Sequence, residues 1–306
     1  MGHYLIHPHV FFETLAYFIA FGAYLSLRRR FGDPISTPIR WALIAAAVAG
    51  AALGSKLLFW LEDPQLTWHN LHNPAYLVGG KTIVGALVFG LISVEIMKRY
   101  ISVRQSSGDL YAIPLAIGIA IGRIGCFLTG LSDNTYGIPT RLPWAVDFGD
   151  GIPRHPTQLY EIIFLLALIP ILYKIVILSG AEVSRSEASA ESKDPAADGG
   201  VRAASRRSPG ALEQRANSAL LLREAKPSPT TSDQRQATIF LPGDVFKFFM
   251  VAYLSFRFLC DFVKPYPRIF LGLGGIQWAC LLTLLYYSPD IVRWLRSGSI
   301  FATPRG

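Results

Sequence analysis

Residues 110–129 read LYAIPLAIGIAIGRIGCFLT, a run of twenty residues whose only charge is that of Arg123. At a rise of about 1.5 Å per residue, a helix of this length crosses the roughly 30 Å apolar core of a bilayer. Runs of similar character recur along the chain. The predicted membrane spans are residues 10–27, 41–61, 76–97, 110–129, 159–179, 240–262 and 270–289. We therefore predict an all-α integral membrane protein with seven transmembrane helices.

The composition excludes several classes of protein. Of the 306 residues, 51% are hydrophobic and 16% are charged, whereas a soluble domain carries roughly 25% charged residues. An ordinary cytosolic enzyme and a wholly disordered chain are therefore excluded. The three cysteines, Cys126, Cys260 and Cys280, lie in apolar runs, which excludes a disulfide framework and a CxxC metal motif. The net charge of +8 indicates membrane topology and no nucleic-acid partner, because the charges lie between the spans.

Lysine and arginine residues alternate along the connections between the predicted spans. The first, third and fifth loops and the C-terminus carry four, three, nine and three of them, whereas the N-terminus and the second, fourth and sixth loops carry none, none, two and two. Loops rich in positive charge stay in the cytoplasm. The pattern therefore predicts an N-terminus outside and a C-terminus in the cytoplasm, which an odd number of spans satisfies.

One membrane domain is predicted, interrupted by an insertion. Residues 1–179 hold spans one to five with a periplasmic loop at 130–158, and residues 239–306 hold spans six and seven and a C-terminal tail. Between them, residues 180–238 are rich in Ser, Ala and Pro and contain no aromatic residue. Such a composition buries too little apolar area to offset the entropy of ordering. A disordered cytoplasmic insertion is therefore predicted.

Six cations lie within the predicted spans, where a central charge costs about 2.5–3.5 kcal/mol on insertion scales. Lys174 and Lys247 lie near inner ends and can extend to the membrane surface. The other four come from four helices and share one depth, roughly 8–10 Å below the outer boundary. These four are Lys56, Lys81, Arg123 and Arg257. They indicate either four independent side chains that reach the membrane surface or an anion site that opens to the outer leaflet.

Arg123 favours the anion site. It lies in residues 118–125, GIAIGRIG, whose small residues let helices approach closely, so Arg123 faces protein or a cavity. Glu161 and Asp261 are the carboxylates at comparable depth, and Asp261, four residues after Arg257, is expected to pair with it. Arginine donates two parallel hydrogen bonds to phosphate. The abundant phosphate of an outer leaflet belongs to lipid headgroups.

A polar segment leads into span five with the sequence Arg154-His-Pro-Thr-Gln-Leu-Tyr-Glu161. His155 is a candidate acid or base, because histidine titrates near neutral pH. Helix capping by Thr157, with Gln158 and Tyr160 as interfacial anchors, is the alternative interpretation. No Ser/His/Asp or Cys/His spacing in the sequence indicates a catalytic triad.

Several motifs resemble those of the bacterial prolipoprotein diacylglyceryl transferase family. They are Gly122-Arg-Ile-Gly-Cys-Phe-Leu128, Tyr136-Gly-Ile-Pro-Thr140, the segment Arg154 to Glu161, Phe256-Arg-Phe-Leu-Cys-Asp261 and Gly275-Ile-Gln277. The resemblance covers all seven spans and leaves out the insertion at 180–238.

This resemblance implies a multi-pass enzyme of the bacterial inner membrane that needs no metal or cofactor. Such an enzyme moves the diacylglyceryl group of phosphatidylglycerol to the cysteine thiol of a lipoprotein precursor and releases glycerol phosphate. The family's two key arginines correspond to Arg123 and Arg257, which with His155 are the expected catalytic residues. The residues expected to contact the lipid and the prolipoprotein signal peptide are Lys56, Lys81, Gly122, Gly137, Gln158, Tyr160, Glu161 and Asp261.

The sequence departs from the family pattern at several positions. The histidine of the family's Gly-Gly-x-x-x-His-Gly motif is Val84 here, and its Asn-Phe-x-Asn-x-Glu motif begins at Cys126 and keeps neither Asn nor Glu. The tyrosine of the family's first span corresponds to Phe12 or Glu13. Nearby polar groups that could replace lost hydrogen bonds are Asp133, Asn134 and Tyr136.

Two other functions remain as alternatives. One is a non-catalytic or altered-specificity relative that binds or transports an anionic lipid or a small anion. The other is a seven-helix receptor, which is disfavoured because the last predicted span, 270–289, has no lysine for a Schiff base.

Overall fold

The computed structural model describes residues 7–191 and 241–296, and these residues are almost entirely helical. The α-helices are α1 (Pro8–Phe31), α2 (Thr37–Glu62), α3 (Pro64–His69), α4 (Pro74–Gly79), α5 (Ile83–Tyr100), α6 (Asp109–Thr129), α7 (Thr157–Glu191), α8 (Asp244–Cys260), α9 (Gly275–Tyr286) and α10 (Ser288–Arg296). Short 3₁₀ turns at Gly130–Asp133 and Asp261–Val263 follow α6 and α8.

Within residues 7–191 and 241–296, four helices are long and apolar enough to cross a membrane. They are α1, α2, α6 with its 3₁₀ extension to Asp133, and the Thr157–Ile177 part of α7, with lengths of 24, 26, 25 and 21 residues. Each therefore spans about 30 Å or more at 1.5 Å per residue. The expected class, an all-α membrane protein, agrees with these helices. Helices α5, α8 and α9 are shorter, at 18, 17 and 12 residues, so the count of seven spans stays a prediction.

The predicted third span, residues 76–97, is not one continuous helix. The chain leaves α4 after Gly79 and starts α5 at Ile83. In the break, the backbone N–H and the hydroxyl of Thr82 both donate to the carbonyl of Ser55 on α2, at 3.1 and 3.2 Å. Gly80 packs against the ring of Phe59, where a side chain would clash. The pattern of apolar residues could not show this break, because the bonds that stabilise it come from another helix.

Glycines bring two pairs of helices close together. Helix α2 packs along α5 and α1 packs along α6. A Cβ on Gly50 or Gly54 would collide with Phe89 of α5, so the small residues of the Gly50-Ala-Ala-Leu-Gly54 segment allow this close approach. A Cβ on Gly125 would lie 2.8 Å from Cβ of Phe12 on α1. These contacts place the N-terminal part of α1 against the C-terminal part of α6.

The segment between α6 and α7 is ordered by its own hydrogen bonds. Strands β1 (Val146–Asp147) and β2 (Pro153–Arg154) pair antiparallel, with Val146 opposite Arg154. At the turn, the Asp147 carboxylate accepts hydrogen bonds from the backbone N–H groups of Gly149, Asp150 and Gly151. Ile138 donates to the carbonyl of Val263, so this segment is joined to the turn that follows α8.

The chain divides into two compact units, one of Met1–Ser179 with Phe240–Gly306 and one of Gly180–Ile239. The first contains the candidate site. Helix α7 ends at Glu191, beyond the predicted end of its span at 179. The rest of the predicted disordered insertion, 180–238, lies outside the described residues.

Candidate functional site

A cavity of about 1100 Å³ lies among α1, α2, α4, α5 and α6 and the turns that follow α6 and α8. Its wall is apolar along Ala16, Ala20, Leu115 and Ile119. Ionisable side chains concentrate in the remainder of the wall. They are His7, His9, Glu13, Tyr17, Glu62, Asp63, Tyr76, Lys81, Arg123, Cys126, Asp133, Tyr136, Arg257, Lys264 and Tyr266. A cavity that is apolar on one side and charged on the other suits a molecule with both an apolar and a charged part.

Two guanidinium groups share one carboxylate at the wall of this cavity. Glu161 of α7 places Oε2 2.8 Å from Nε of Arg123 and 3.8 Å from Nη1 of Arg257. Tyr253 of α8 donates its hydroxyl to Oε1 of Glu161 at 2.6 Å. All four side chains are buried, and Glu161 neutralises one of the two arginines. The structure thus brings together the two arginines that the sequence predicted as catalytic.

Arg257 has donor atoms that make no hydrogen bond to the described residues. Its Nη2 lies 3.5 Å from Oδ1 of Asp261, which confirms the predicted pairing on one helix face. Its Nε and Nη1 donate no hydrogen bond to any described residue, and neither carboxylate oxygen of Asp261 accepts one. Buried donors of this kind are rare in proteins unless a ligand or water satisfies them.

Lys264 is a third buried cation, which sequence reasoning assigned to a loop. The 3₁₀ turn Asp261–Val263 brings it back into the cavity wall, where the residue is 3% exposed. Burial, followed by the repulsion of Arg257 and Arg123, lowers the pKa of its ammonium from its usual value to about 7. A charge pattern could not reveal this, because the position of Lys264 depends on the turn after α8.

The two other predicted membrane cations have protein partners of their own. Lys81 lines the cavity and forms an ion pair with Glu13 of α1 at 2.6 Å. Lys56 donates to the carbonyl of Gly80 at 2.6 Å and to that of Val78, at the end of α4, and it is not among the residues that line the cavity. The predicted depth is shared by all four cations, but the structure joins only Arg123 and Arg257 around one carboxylate.

His155 belongs to a neighbouring cluster and not to the cavity wall. Its Nδ1 lies 3.1 Å from the hydroxyl of Tyr160, which also accepts a hydrogen bond from Nε1 of Trp144 at 2.8 Å. Gly137 donates its N–H to the carbonyl of His155 at 2.9 Å, and a Cβ on Gly137 would lie 2.6 Å from Cβ of His155. Among the described residues, these contacts order the entry to α7, whereas the buried Gln158 is not the interfacial anchor of the alternative interpretation.

Of two further residues predicted to contact the substrates, Gly122 lines the cavity and Gln158 does not. The Gln158 side chain is buried and does not line the cavity, but its Nε2 donates to the hydroxyl of Thr135, a lining residue, at 3.1 Å. Gly122 lines the cavity, and a Cβ there would have no neighbour within 4 Å. Gly122 therefore contributes open space beside Arg123.

Several residues in the cavity wall were not expected from the sequence. His9 and Glu13 come from the first turns of α1, and Glu62 ends α2. A carboxylate within an apolar span indicates a functional site. The position of Glu13 in the first predicted span was therefore a signal that could have identified it. Val84, which stands where the family has a histidine, is 1% exposed and forms part of the apolar wall.

A profile of the prolipoprotein diacylglyceryl transferase family matches residues 5–188. The chain belongs to this family. The matched segment holds Arg123 and Glu161, whereas Arg257, Asp261 and Lys264 lie beyond it and enter the site through the fold. The resemblance found in the sequence motifs is thereby confirmed.

Curated relatives carry the name phosphatidylglycerol–prolipoprotein diacylglyceryl transferase. The chain is 36% identical over 163 residues to the protein of Bordetella bronchiseptica, covering 48% of this chain and 60% of the relative. It is 33% identical over 180 residues to that of Polynucleobacter asymbioticus, covering 53% and 64%. It is 35% identical over 146 residues to that of Methylococcus capsulatus, covering 44% and 52%. The aligned part thus spans about half to two thirds of the length of these relatives.

Proposed function

We propose that this protein transfers the diacylglyceryl group of phosphatidylglycerol to the cysteine thiol of a prolipoprotein. The observation that carries the proposal is the wall of the cavity in which Arg123, Arg257 and Lys264 lie together, with Nε and Nη1 of Arg257 donating no hydrogen bond to a described residue. A lipid phosphate brings hydrogen-bond acceptors for these donors and a negative charge that the three cations attract. The apolar wall suits its acyl chains.

The proposed reaction forms one bond and breaks one. The thiolate of the prolipoprotein cysteine attacks the glyceryl carbon that bears the phosphate ester. The new bond is a carbon–sulfur thioether, and the carbon–oxygen bond to the phosphate breaks. The electron pair goes to the phosphate oxygen, which leaves as glycerol phosphate, and the thiol proton leaves to solvent.

In this reaction the cations stabilise the leaving group. Negative charge grows on the phosphate as the carbon–oxygen bond breaks, and donors already in position lower the energy of that state. Arg257 offers the phosphate two donors on different sides of its guanidinium, namely Nε and Nη1, neither of which donates a hydrogen bond to a described residue. A cysteine thiol has a pKa of about 8.5 and ionises readily, so Val84 in place of a histidine is compatible with turnover.

The proposed protein lies in the bacterial inner membrane with seven spans, its N-terminus outside and its C-terminus in the cytoplasm. Support comes from the alternation of lysine and arginine between the connections. In this topology Arg123 and Arg257 lie toward the outer leaflet. Phosphatidylglycerol then enters laterally, and the signal peptide of the prolipoprotein approaches in the same leaflet.

The experiment is a transfer assay with purified protein in nanodiscs that contain phosphatidylglycerol. A peptide with a lipobox cysteine is added, and mass spectrometry detects the diacylglyceryl thioether. We expect the product with this peptide and none with a cysteine-to-serine peptide. Complementation of a bacterial strain depleted of its own transferase is the matching test in cells. Binding of phosphatidylglycerol without any thioether or complementation would contradict the proposal and favour the lipid-binding alternative.

A further inference from the structure

Three potential metal ligands converge at the wall of the cavity. They are His9 of α1, Cys126 of α6 and Asp133 at the end of the 3₁₀ turn after α6. Nδ1 of His9 lies 2.8 Å from Oδ1 of Asp133 and 3.9 Å from Sγ of Cys126. One imidazole nitrogen thus faces both a carboxylate and a thiol, which an ordinary histidine–aspartate ion pair does not explain.

The spacing of these atoms fits a tetrahedral ion. Bonds of about 2.0–2.3 Å to nitrogen, oxygen and sulfur place tetrahedral ligand atoms roughly 3.3–3.6 Å apart. The three atoms here all lie within 4.8 Å of one another, so shifts of an ångström or less would close the shell. All three residues line the cavity, which leaves the fourth position open to it.

Each candidate ligand also has an outer partner that orients it. Nε2 of His9, the nitrogen that faces away from the cluster, lies 3.5 Å from Oε2 of Glu13. The hydroxyl of Thr135 donates to Oδ2 of Asp133 at 2.6 Å, and Nη1 of Arg123 lies 3.7 Å from Sγ of Cys126. A carboxylate on the far nitrogen of a histidine is the usual support for a metal-bound imidazole.

We propose that His9, Cys126 and Asp133 bind a zinc ion at the wall of the cavity. A thiolate, an imidazole and a carboxylate select zinc and not magnesium or calcium, which prefer oxygen ligands alone. The thiol of Cys126 releases its proton on binding. The two negative ligands then balance the charge of the ion. The partly buried site has no net charge, so its desolvation costs little free energy.

The open fourth position would let the ion bind the acceptor thiol. This role rests on the proposed transferase function. An acceptor thiol that reaches the cavity binds there and is held as a thiolate, because a coordinated thiol loses its proton. It then attacks the glyceryl carbon as described above. The ion replaces the basic group that Val84 lacks, beside Arg123 at the phosphate. The sequence implied no metal because the ligands come from two helices and a turn, without a recognisable spacing.

Cobalt binding tests the site without lipid or peptide. The full chain is purified in detergent, stripped with a chelator and titrated with Co²⁺, whose bond to a thiolate gives a charge-transfer absorption in the near ultraviolet. We expect one ion per chain and displacement by Zn²⁺. Cys126→Ser should abolish the band, and Asp133→Asn should weaken binding at least about tenfold. Cys260→Ser and His69→Ala, which alter a cysteine and a histidine outside the cluster, should bind as the wild type does.

A further variant distinguishes loss of metal binding from loss of the fold. Glu13→Gln keeps all three ligands and removes the charge behind His9, so it should weaken Co²⁺ binding about 10–100-fold while the melting temperature without metal stays near that of the wild type. Zn²⁺ should raise the melting temperature of the wild type and not that of Cys126→Ser. No charge-transfer band in the wild type, or a full band in Cys126→Ser, would overturn the site.

The transfer assay then separates the two proposals. Loss of transfer on chelation and its recovery with Zn²⁺ would support the acceptor role. Equal rates with and without zinc would overturn that role and leave the transferase function standing. A protein that binds zinc through Cys126 yet transfers nothing in either form would overturn the transferase function and leave the metal site standing.

Discussion

Arg257 and Asp261 form an ion pair, with Nη2 of the arginine 3.5 Å from Oδ1 of the aspartate, in which neither partner is saturated. Both carboxylate oxygens of Asp261 lack hydrogen bonds from the described residues, and so do Nε and Nη1 of Arg257. The aspartate therefore offsets the guanidinium charge and leaves Nε and Nη1 without a hydrogen-bond acceptor among the described residues. Such a pair leaves Nε and Nη1 able to donate to an anion that enters the cavity.

Arg257→Lys tests whether the planar group or only the charge matters. Lysine keeps the positive charge but cannot donate two parallel hydrogen bonds. A hydrogen bond to a charged partner contributes about 1.5–3 kcal/mol, so the variant should transfer diacylglyceryl at least about tenfold more slowly. Initial rates with phosphatidylglycerol nanodiscs measure this. Arg99→Lys, at an exposed position, is the control, and full activity of Arg257→Lys would show that Arg257 serves only as a membrane cation.

Glu161→Gln should destabilise the protein, because Arg123 and Arg257 would face each other without the carboxylate between them. Removal of one partner from a buried ion pair costs about 3–5 kcal/mol. We expect a clearly lower melting temperature in detergent, partly recovered by phosphatidylglycerol, whose phosphate replaces the lost charge. Glu95→Gln is the control, since Glu95 pairs with Lys98 at 3.0 Å while its own side chain is 42% exposed, and pairs with an exposed partner contribute less than buried ones. Equal melting temperatures for the two variants would contradict the central role of Glu161.

The arginine pair shows how far sequence reasoning reaches in this protein. The cost of charge in apolar spans located Arg123 and Arg257, and the four-residue spacing predicted the partner of Arg257. Depth alone could not tell them from Lys56, which the structure turns toward backbone carbonyls at the end of α4. That difference depends on the break between α4 and α5, where a hydrogen bond to α2 replaces a turn of helix.

The residues that were missed share a different reason. His9 and Glu13 precede or begin the apolar run that predicted the first span, and Lys264 follows the run that predicted the sixth. They enter the cavity through the packing of α1 on α6 at Gly125 and through the 3₁₀ turn after α8. Hydrophobic patterns determine which segments are helical, but they do not determine which segment ends meet.

Lys264 predicts a pH dependence of lipid binding. With a pKa of about 7 in the folded protein, its amine gains a proton as the pH falls through 7, and the resulting ammonium adds to the attraction for a phosphate. Affinity for phosphatidylglycerol should therefore rise from about pH 8 to about pH 6 and depend less on pH in Lys264→Met. Binding titrations across this range measure the effect. An unchanged pH profile in Lys264→Met would assign the dependence to another group.

Lys264 also predicts that the stability of the folded protein rises with pH, whereas lipid affinity rises as the pH falls. An unfolded lysine keeps its proton up to a pKa of about 10.4, whereas folded Lys264 loses it near 7. Between these values the unfolded chain binds more protons, so stability rises with pH in that window. Lys264→Met removes this proton uptake and should melt at a higher temperature at pH 7, with a flatter dependence up to about pH 10. A lower melting temperature for the variant would show that the ammonium stabilises the fold.

The predicted topology places the cavity on the outer side, and inserted tags can test it. Tags after Asn70 and Asp150 should react with a membrane-impermeant reagent in right-side-out vesicles, and a tag after Gly210 should react only after the membrane is opened. The alternation of lysine and arginine is the physical reason. Protection of the tag at Asp150 would contradict both the orientation and an anion site that opens to the outer leaflet.

Arg123→Ala separates catalysis from binding. Arg123 lies beside the open space at Gly122, and its pairing with Glu161 is the shortest contact that holds the buried charges together. Loss of one charged hydrogen bond, worth about 1.5–3 kcal/mol, should lower the affinity for phosphatidylglycerol at least about tenfold and abolish thioether formation, while the protein still inserts into membranes. Arg141→Ala removes an exposed cation and controls for general attraction to an anionic lipid. If Arg123→Ala leaves both affinity and turnover unchanged, the phosphate does not bind at this arginine. If it lowers affinity in a protein that never modifies the peptide, the family fold serves here to bind the lipid, and Val84 and Cys126 are the substitutions to revert first.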